Sequence, residues 1–354
     1  MLATMSAASV PPLPEGYDEL LSANVALVTG KGGVGKTTVA ASLALAGVTS
    51  GRRTLLVDVE GREAFSRIFE TAPWDYDERE FRPGLWGAAL DPAEAVYEYL
   101  ELFYGLKRVQ WMMERSNALD FVTTAAPGLR DLLLIGKIYE IEQRRGPDGR
   151  RAYDLIVVDA PPTGRIVPFL QAPEGVTEIV RVGPIKRQAG QIADMLDNPR
   201  RAQAIIVSLL EEMPVQETIE GVAALRDAGV RLGPVVANQV VRPHLDAEAA
   251  TALSSFEPDD VVARARAAGL ELPTELAELG LTLGSDHHDR VALQSELRER
   301  LRDEGRRPVV DLPLLTGATF DVADIEVLAD AIALQIGEDG PRAHGLLPHR
   351  EVAP

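Results

Sequence analysis

Residues 25–38 read VALVTGKGGVGKTT, and this stretch decides the fold. Residues 25–29 form a short β-branched run typical of a buried strand, and residues 38–48 have the Ala- and Leu-rich pattern of a helix. Between them the chain fits the pattern GxxxxGK[ST], in which glycines let successive backbone N–H groups point at phosphate oxygens. Because this pattern requires a strand before it and a helix after it, the sequence predicts a phosphate-binding P-loop.

The residues of this loop have distinct expected roles. We expect the Lys36 ammonium to contact the β- and γ-phosphates and the Thr37 hydroxyl to ligate Mg²⁺. The helix that begins at Thr37 adds its positive N-terminal end. The predicted nucleotide-binding residues of the loop are Gly30, Lys31, Gly32, Gly33, Val34, Gly35, Lys36, Thr37 and Thr38. The sequence thus predicts an ATP hydrolase with ATP and Mg²⁺ as cofactors.

The composition limits the remaining classes of function. The chain has 354 residues, a formal net charge of −18 and no Cys. The negative charge argues against a nucleic-acid partner, because phosphate backbones need concentrated Lys and Arg. The absence of Cys excludes disulfides, thiolate metal sites and iron–sulfur clusters. Since no apolar run approaches the length of a membrane helix and no secretory signal is visible, we expect a cytoplasmic protein without direct membrane insertion.

Short β-branched runs alternate with helical patterns along most of the chain. Candidate strands lie at residues 25–29, 54–58, 155–159, 204–209, 234–238 and 309–312. These runs are continuously apolar rather than alternating, which indicates strands that are covered on both faces. The predicted fold is therefore α/β, with a mostly parallel, doubly wound P-loop sheet flanked by helices.

The chain divides into three predicted parts. Residues 1–22 and 337–354 are poor in apolar periodicity and predict a flexible leader and a flexible tail. Residues 23–336 form the predicted ATPase domain. Within it, residues 91–143 carry helical patterns around 93–106, 109–117 and 128–143 with no strand between them, which predicts an inserted helical subdomain. Four arginines around the turn at residues 145–150 are expected to be solvated, namely Arg144, Arg145, Arg150 and Arg151.

Two of the predicted strands end in an aspartate, at the edge where parallel sheets bind ligands. Asp58 could position or deprotonate the attacking water, and we assign it a catalytic role beside Lys36. Asp159 closes the strand 155–159, the usual place for a carboxylate that holds Mg²⁺ through a water molecule. Aspartates at strand ends are also common as turn formers, so each assignment depends on the P-loop beside it.

Lys31 directly follows the first glycine of the loop. In this respect the loop resembles the deviant P-loop of the ATPases related to MinD, ParA, ArsA and the nitrogenase iron protein. The resemblance implies that Lys31 reaches across a dimer interface to the partner's nucleotide and is catalytic there, by stabilising charge on the transferring phosphoryl group. The alternative is a solvated loop lysine.

Residues 159–173, DAPPTGRIVPFLQAP, resemble the second switch of the ArsA-type arsenical pump ATPases and of the tail-anchored-protein targeting ATPase. Shorter matches extend the resemblance over residues 23–335, and the segments VEGR and DAPPTGR are most similar to the actinobacterial ArsA-like subgroup. The resemblance implies that Asn238 reads the adenine base and that Pro313 lies in a loop closing over it. The implied switch residues are Asp58, Glu60, Asp159, Pro161, Thr163 and Gly164.

The chain also departs from that family. Relatives usually show DPAH or DPAS at the first switch, whereas this chain reads DVEGR from Asp58. Arg165 stands where relatives have His. The metalloid-binding cysteines and the zinc-binding CxxC pair are missing. Because arsenite is a soft ligand that seeks thiolates, the sequence argues against arsenite export.

The leading hypothesis is an Mg-ATP-driven dimeric switch, either a homodimer or a heterodimer with a related ATPase, that handles a hydrophobic client protein. Apolar residues at 100–104, 111–113 and 132–135 could supply a surface for the client, or they could pack internally. The alternative function is a nucleotide-binding partner subunit with weak hydrolysis of its own. The rewritten switch loop after Asp58 motivates that alternative.

Overall fold

A computed structural model of the chain describes residues 20–60, 63–104, 127–179, 183–245, 249, 252, 255–317 and 320–336. The predicted tail and residues 1–19 of the predicted leader lie outside these ranges. Leu20 and Leu21, at the end of the predicted leader, are buried in the core. These two leucines pack in the core cluster that also includes residues of β1 and α1.

An eight-stranded sheet forms the centre of the molecule. Its strands are β1 Val25–Gly30, β2 Thr54–Asp58, β3 Arg79–Arg82, β4 Leu85–Ala89, β5 Leu155–Asp159, β6 Ala202–Leu209, β7 Leu232–Val240 and β8 Val309–Pro313. The spatial order is β3-β4-β2-β5-β1-β6-β7-β8, and only the edge pair β3–β4 is antiparallel. The mostly parallel, doubly wound α/β fold that the sequence predicts is confirmed.

Helices cover both faces of this sheet. The described helices are α1 Lys36–Thr49, α2 Ala64–Ile68, α3 Pro92–Tyr104, α4 Pro127–Gln143, α5 Thr163–Ile179, α6 Pro184–Asp197, α7 Glu212–Asp227, α8 Pro258–Ala267, α9 Thr274–Gly305 and α10 Val322–Ile336. Along β1, Ala26 and Val28 face a core that includes α1, α2 and α10, whereas Val25 and Leu27 face a core that includes α4 to α7 and α9. The continuous apolar runs of the strands are the consequence of two buried faces.

Strands β3 and β4 were missed by the prediction from sequence. Strand β3 reads REFR and lies at the exposed sheet edge, so it lacks the apolar character of a covered strand. Strand β4 contains Gly87, where a Cβ atom would lie 2.7 Å from the Trp74 ring. Trp74 also stacks on Phe65 with ring centroids 5.3 Å apart. The indole thus supplies the packing that a larger side chain would supply in an ordinary strand.

Helices α3 and α4 lie in the stretch predicted as a helical insertion, and the predicted helix at 109–117 lies outside the described residues. The apolar residues 132–135 of α4 are buried. Leu132, Leu134 and Ile135 join the core that α5 and α6 share, and Leu133 packs with Ala95 and Val96 of α3. These four residues therefore pack internally in this conformation. Residues 111–113 lie outside the described residues, and the predicted apolar surface at 100–104 and 111–113 stays a prediction.

The expectation of solvated arginines around the turn at 145–150 was wrong for two of them. Arg144 forms ion pairs with Glu78 and Glu140. Arg151 pairs with Glu142, whose buried carboxylate also accepts a hydrogen bond from Arg201 at 2.7 Å. Both arginines pair with acidic residues on the preceding helix or elsewhere in the fold. The sequence of the turn alone does not indicate these partners.

Replacing Glu142 by Gln is expected to lower the free energy of unfolding by about 3 kcal/mol, because two guanidinium groups then lose their shared carboxylate. Burial raises the pKa of Glu142, but hydrogen bonds from Arg201 and Arg151 outweigh it and hold the pKa below the usual 4.5. The stabilisation is therefore present above pH 4.5 and is lost as the pH falls through the lower, folded-state value. Thermal melts at pH 7 and at acidic pH would measure this difference.

The matched control for this prediction is Asp303→Asn, which breaks an exposed pair with Arg302. We expect that control to change stability by less than about 0.5 kcal/mol. A Glu142→Gln protein as stable as the control at pH 7 would contradict the structural role of the Glu142 cluster.

Candidate active site

The sheet brings the predicted site residues to one edge. In the parallel register Asp58 of β2 lies directly opposite Asp159 of β5, and β5 also pairs with β1, which ends in the P-loop. Neighbouring strands are roughly 4.8 Å apart, so both carboxylates lie close to the loop. This edge is the carboxyl end of the parallel strands, where such sheets bind ligands.

Two of the P-loop glycines, Gly30 and Gly35, are required by close approaches of other chain segments. Gly30 has φ 156°, and a Cβ atom there would lie 2.4 Å from the Val207 carbonyl oxygen of β6. Gly35 has φ 89°, in the left-handed region, and a Cβ atom there would lie 2.3 Å from Asn238 Nδ2. A side chain at either position would displace the loop from the strands that hold it.

The remaining loop residues differ in their surroundings. Val34 is buried, while added Cβ atoms at Gly32 and Gly33 would meet no atom within 4 Å. Helix α1 begins at Lys36, so Lys36, Thr37 and Thr38 form its first turn. The first backbone N–H groups of an α-helix have no partner within the helix and can therefore bind an anion.

The two lysines of the loop have different partners. Lys36 Nζ lies 3.5 Å from the carbonyl oxygen of Lys31, within the loop itself. Lys31 Nζ lies 2.5 Å from Glu217 Oε1, on helix α7. Lys31 is thus paired with a carboxylate of its own subunit, a contact that the sequence did not indicate.

Thr37 and Asp159 are directly joined. The Thr37 hydroxyl donates a hydrogen bond of 2.7 Å to Asp159 Oδ2. Asp159 Oδ1 is buried and has no hydrogen-bond partner among the described residues. Burial raises the pKa of Asp159 to about 6, the Thr37 hydrogen bond opposes this rise, and the nearby Asp58 charge adds to it. A hydroxyl and a carboxylate whose second oxygen is buried and unsatisfied are a donor set that fits Mg²⁺ and its water molecules.

The Asp58 carboxylate is buried at the carboxyl end of the central strand β2. Its Oδ1 accepts a hydrogen bond of 2.8 Å from the backbone N–H of Glu60, which turns the chain at the predicted first switch. Residues 61 and 62 of that switch lie outside the described residues. Asp58 and Glu60 both lie close enough to Asp159 to raise its pKa. Three carboxylates thus face the same edge, where a cation would relieve their repulsion.

The second switch connects β5 to α5. The carbonyl oxygen of Pro161 accepts a 2.6 Å hydrogen bond from Thr29 of β1, which fixes the start of the switch beside the P-loop. Thr163 and Gly164 begin α5. Arg165, on the same turn, lies 3.9 Å from Asp131 of α4. The switch therefore touches the P-loop strand on one side and helix α4 on the other.

Asn238 lies two residues before the end of β7, and Pro313 ends the neighbouring strand β8. Asn238 is buried and donates a hydrogen bond of 2.9 Å to the carbonyl oxygen of Val34, so its side chain supports the P-loop directly. Gln239 follows with φ 58°, where the register of β7 and β8 shifts before Val240 pairs with Pro313. Binding of the adenine base by Asn238 and Pro313 stays a prediction, and the support of the P-loop by Asn238 is an additional role.

The sequence reasoning missed Glu217 and Asp131. Glu217 lies in the segment PVQETIE, for which the sequence predicts no role in the site. Asp131 lies in a helix that was described by its apolar residues alone. In both cases the sequence shows a charged residue next to an apolar helix face. That pattern does not identify its partner, Lys31 or Arg165, because the partner lies far away in the chain.

A strand, a glycine-rich loop with its lysine and threonine, and two carboxylates at adjacent strand ends define the class: this protein is a P-loop ATP hydrolase. A sequence model of the anion-transporting ATPases matches residues 23–195. ATPase BagA of Mycobacterium tuberculosis is 38% identical over 317 residues, which cover 87% of this chain and 92% of that protein. The chain belongs to the anion-transporting, ArsA-like ATPase family.

More distant relatives carry names that refer to arsenical pumps. The arsenical pump-driving ATPase of Acidiphilium multivorum is 26% identical over 268 residues, which cover 70% of this chain and 45% of that protein. A putative arsenical pump-driving ATPase of Halobacterium salinarum is 24% identical over 230 residues, which cover 60% of this chain and 35% of that protein. The resemblance stated from the residues is thus confirmed at the level of the family. Among the described residues no helix is both long and apolar enough to cross a membrane.

Proposed function

We propose that this ATPase is an Mg²⁺-dependent switch of two subunits, in which ATP closes the subunits and hydrolysis reopens them. The observation that carries the proposal is the direction of Lys31. Its side chain is 39% exposed, and its ammonium contacts Glu217 of α7, whereas Lys36 stays at its own P-loop. A lysine that points out of its loop and is partly exposed is accessible to a second subunit, as the family resemblance implies.

The proposed metal site consists of Thr37 and Asp159. Their side chains are 2.7 Å apart, and the second oxygen of Asp159 is buried without a partner among the described residues. When bound there, Mg²⁺ would neutralise charge on the β- and γ-phosphates. In the same arrangement Asp58 accepts a proton from, or orients, the attacking water, and Lys36 stabilises the charge on the transferring phosphoryl group.

The contact between Arg165 and Asp131 supports a link from the switch to the helical stretch. A cavity of about 230 Å³ lies between the two switch segments and α4. Its lining includes Val59, Glu60, Arg130, Asp131, Pro161 and Arg165. Burial raises the pKa of Asp131, while Arg165 and Arg130 act against that rise. In our proposal, movement of the second switch changes this contact and shifts α4, so that residues 91–143 gate a hydrophobic client protein in the cytoplasm.

Sedimentation of the Asp58→Asn protein would test the two-subunit mechanism, because this change is expected to slow hydrolysis while leaving ATP bound. We expect a dimer in Mg-ATP and a monomer in Mg-ADP. Adding Lys31→Ala is expected to abolish the ATP-dependent dimer while ATP binding persists. A dimer that forms only after addition of a related ATPase would identify the heterodimeric form. Equal sedimentation in both nucleotides, together with unchanged hydrolysis by Lys31→Ala, would overturn the proposal.

A further inference from the structure

Among the described residues, the Lys31 ammonium pairs with one carboxylate, that of Glu217. Lys31 Nζ lies 2.5 Å from Glu217 Oε1, and the two side chains are 39% and 33% exposed. The residues are 186 positions apart, so the tertiary fold and not local sequence brings them together. A carboxylate and a phosphate group are alternative anionic partners for the same ammonium.

Helix α7 also touches the second switch. Gly221 lies one helical turn after Glu217 and therefore on the same face of α7. A Cβ atom at Gly221 would lie 3.3 Å from Thr163 Cγ2, so the absence of a side chain permits close packing of α7 on the first residue of α5. One face of α7 thus contacts both the P-loop lysine and the second switch.

The other side of α7 is held firmly by the protein. Val215, Thr218, Val222 and Leu225 are buried. Arg300 of α9 adds polar contacts, an ion pair with Glu212 at 3.2 Å and a hydrogen bond to Gln216. The position of the Glu217 carboxylate is therefore set by a packed helix. Because Gly221 contacts Thr163, a displacement of Thr163 would move α7 and with it the Glu217 carboxylate.

We propose that Glu217 is a positioning residue that restrains Lys31 in the resting subunit. This inference rests on the proposed two-subunit function, in which Lys31 must leave its own subunit's carboxylate before it reaches the partner's nucleotide. A partly exposed pair contributes about 0.2–1 kcal/mol, which is weak enough to be exchanged for the several negative charges of a triphosphate. Glu217 thus sets how easily Lys31 is released.

Glu217→Gln keeps the size of the side chain and removes its charge. We expect kcat/KM for ATP to rise about two- to five-fold, the factor that corresponds to the loss of a partly exposed ion pair. Because the restraint exists only in the resting state, KM should fall while kcat at saturating ATP changes little. Steady-state phosphate release at fixed protein concentration measures both quantities.

A double-mutant cycle separates this role from a structural one. In the Lys31→Ala background, Glu217→Gln should no longer change kcat/KM, because the charge it restrains is absent. Glu220→Gln is the matched control: Glu220 lies on the same helix and accepts a hydrogen bond from Gln216 instead. We expect Glu220→Gln to leave kcat/KM at the level of the unmodified protein.

These experiments test the restraint of Lys31 by Glu217 separately from the proposed two-subunit function. If Lys31→Ala lowers turnover but Glu217→Gln has no effect or lowers kcat/KM, the restraint is refuted and the two-subunit function stands. The restraint is equally refuted if Glu217→Gln has the same effect with and without Lys31. If Lys31→Ala hydrolyses ATP like the unmodified protein, the restraint is also refuted, and the two-subunit function itself fails if sedimentation is in addition equal in both nucleotides.

Discussion

Lys36→Ala is expected to abolish ATP hydrolysis, with a fall in kcat/KM of at least about a thousandfold. We expect the Lys36 ammonium to contact the β- and γ-phosphates of ATP. Positive charges held beside the transferring phosphoryl group stabilise the transition state and supply much of the catalysis of phosphoryl transfer. The fold should survive the change, because within the described part of the chain this ammonium makes only a weak contact of 3.5 Å with the Lys31 carbonyl oxygen.

Phosphate release and thermal melting, measured on the same preparation, would check this expectation. Lys186→Ala removes an exposed lysine of α6 and serves as the control for loss of one positive charge. The assignment of the P-loop as the hydrolytic site is untenable if Lys36→Ala retains a tenth or more of the activity while melting at the normal temperature.

Asp58→Asn is the second change with a large expected effect, a fall in kcat of roughly 10²–10⁴-fold, the usual contribution of general-base catalysis. The Asn side chain has nearly the same shape and can still accept the 2.8 Å hydrogen bond from the Glu60 N–H. What is lost is the carboxylate that orients or deprotonates water. ATP binding should therefore change by only a few fold.

Single-turnover hydrolysis and nucleotide titration would separate these two effects. Asp77→Asn is the matched control, because Asp77 is exposed and lines the same cavity as Asp58. An unchanged rate in Asp58→Asn would show that this carboxylate is not catalytic. It would also favour the alternative of a nucleotide-binding partner subunit whose own hydrolysis is weak.

Structural features that depend only on short stretches of sequence could be predicted from the sequence. The P-loop combines a strand, a glycine turn and a helix within 14 residues, so local rules were sufficient. The six predicted strands are buried on both faces, and their continuous apolar runs reflect this directly. Asp58 and Asp159 could be placed at one edge because parallel strands with apolar runs end at a common edge.

Features that depend on distant partners were not predictable. Strand β4 owes its packing to Trp74, which covers Gly87 from outside the strand. Arg151 looked like a solvated turn residue because its partner, Glu142, is buried at the end of the preceding helix. The Lys31–Glu217 contact joins segments that no pattern in the sequence connects.

The opposition of Asp58 and Asp159 in the sheet register has a consequence for how activity is lost. The two carboxylates are brought together by the hydrogen-bond ladder between β2 and β5, not by contacts between their side chains. That ladder lies in the middle of a cooperative sheet, so assembly of the catalytic edge and folding of the domain are the same event. Heat or denaturant should therefore divide the molecules into active and inactive populations, and a gradual decline in the efficiency of each molecule is not expected.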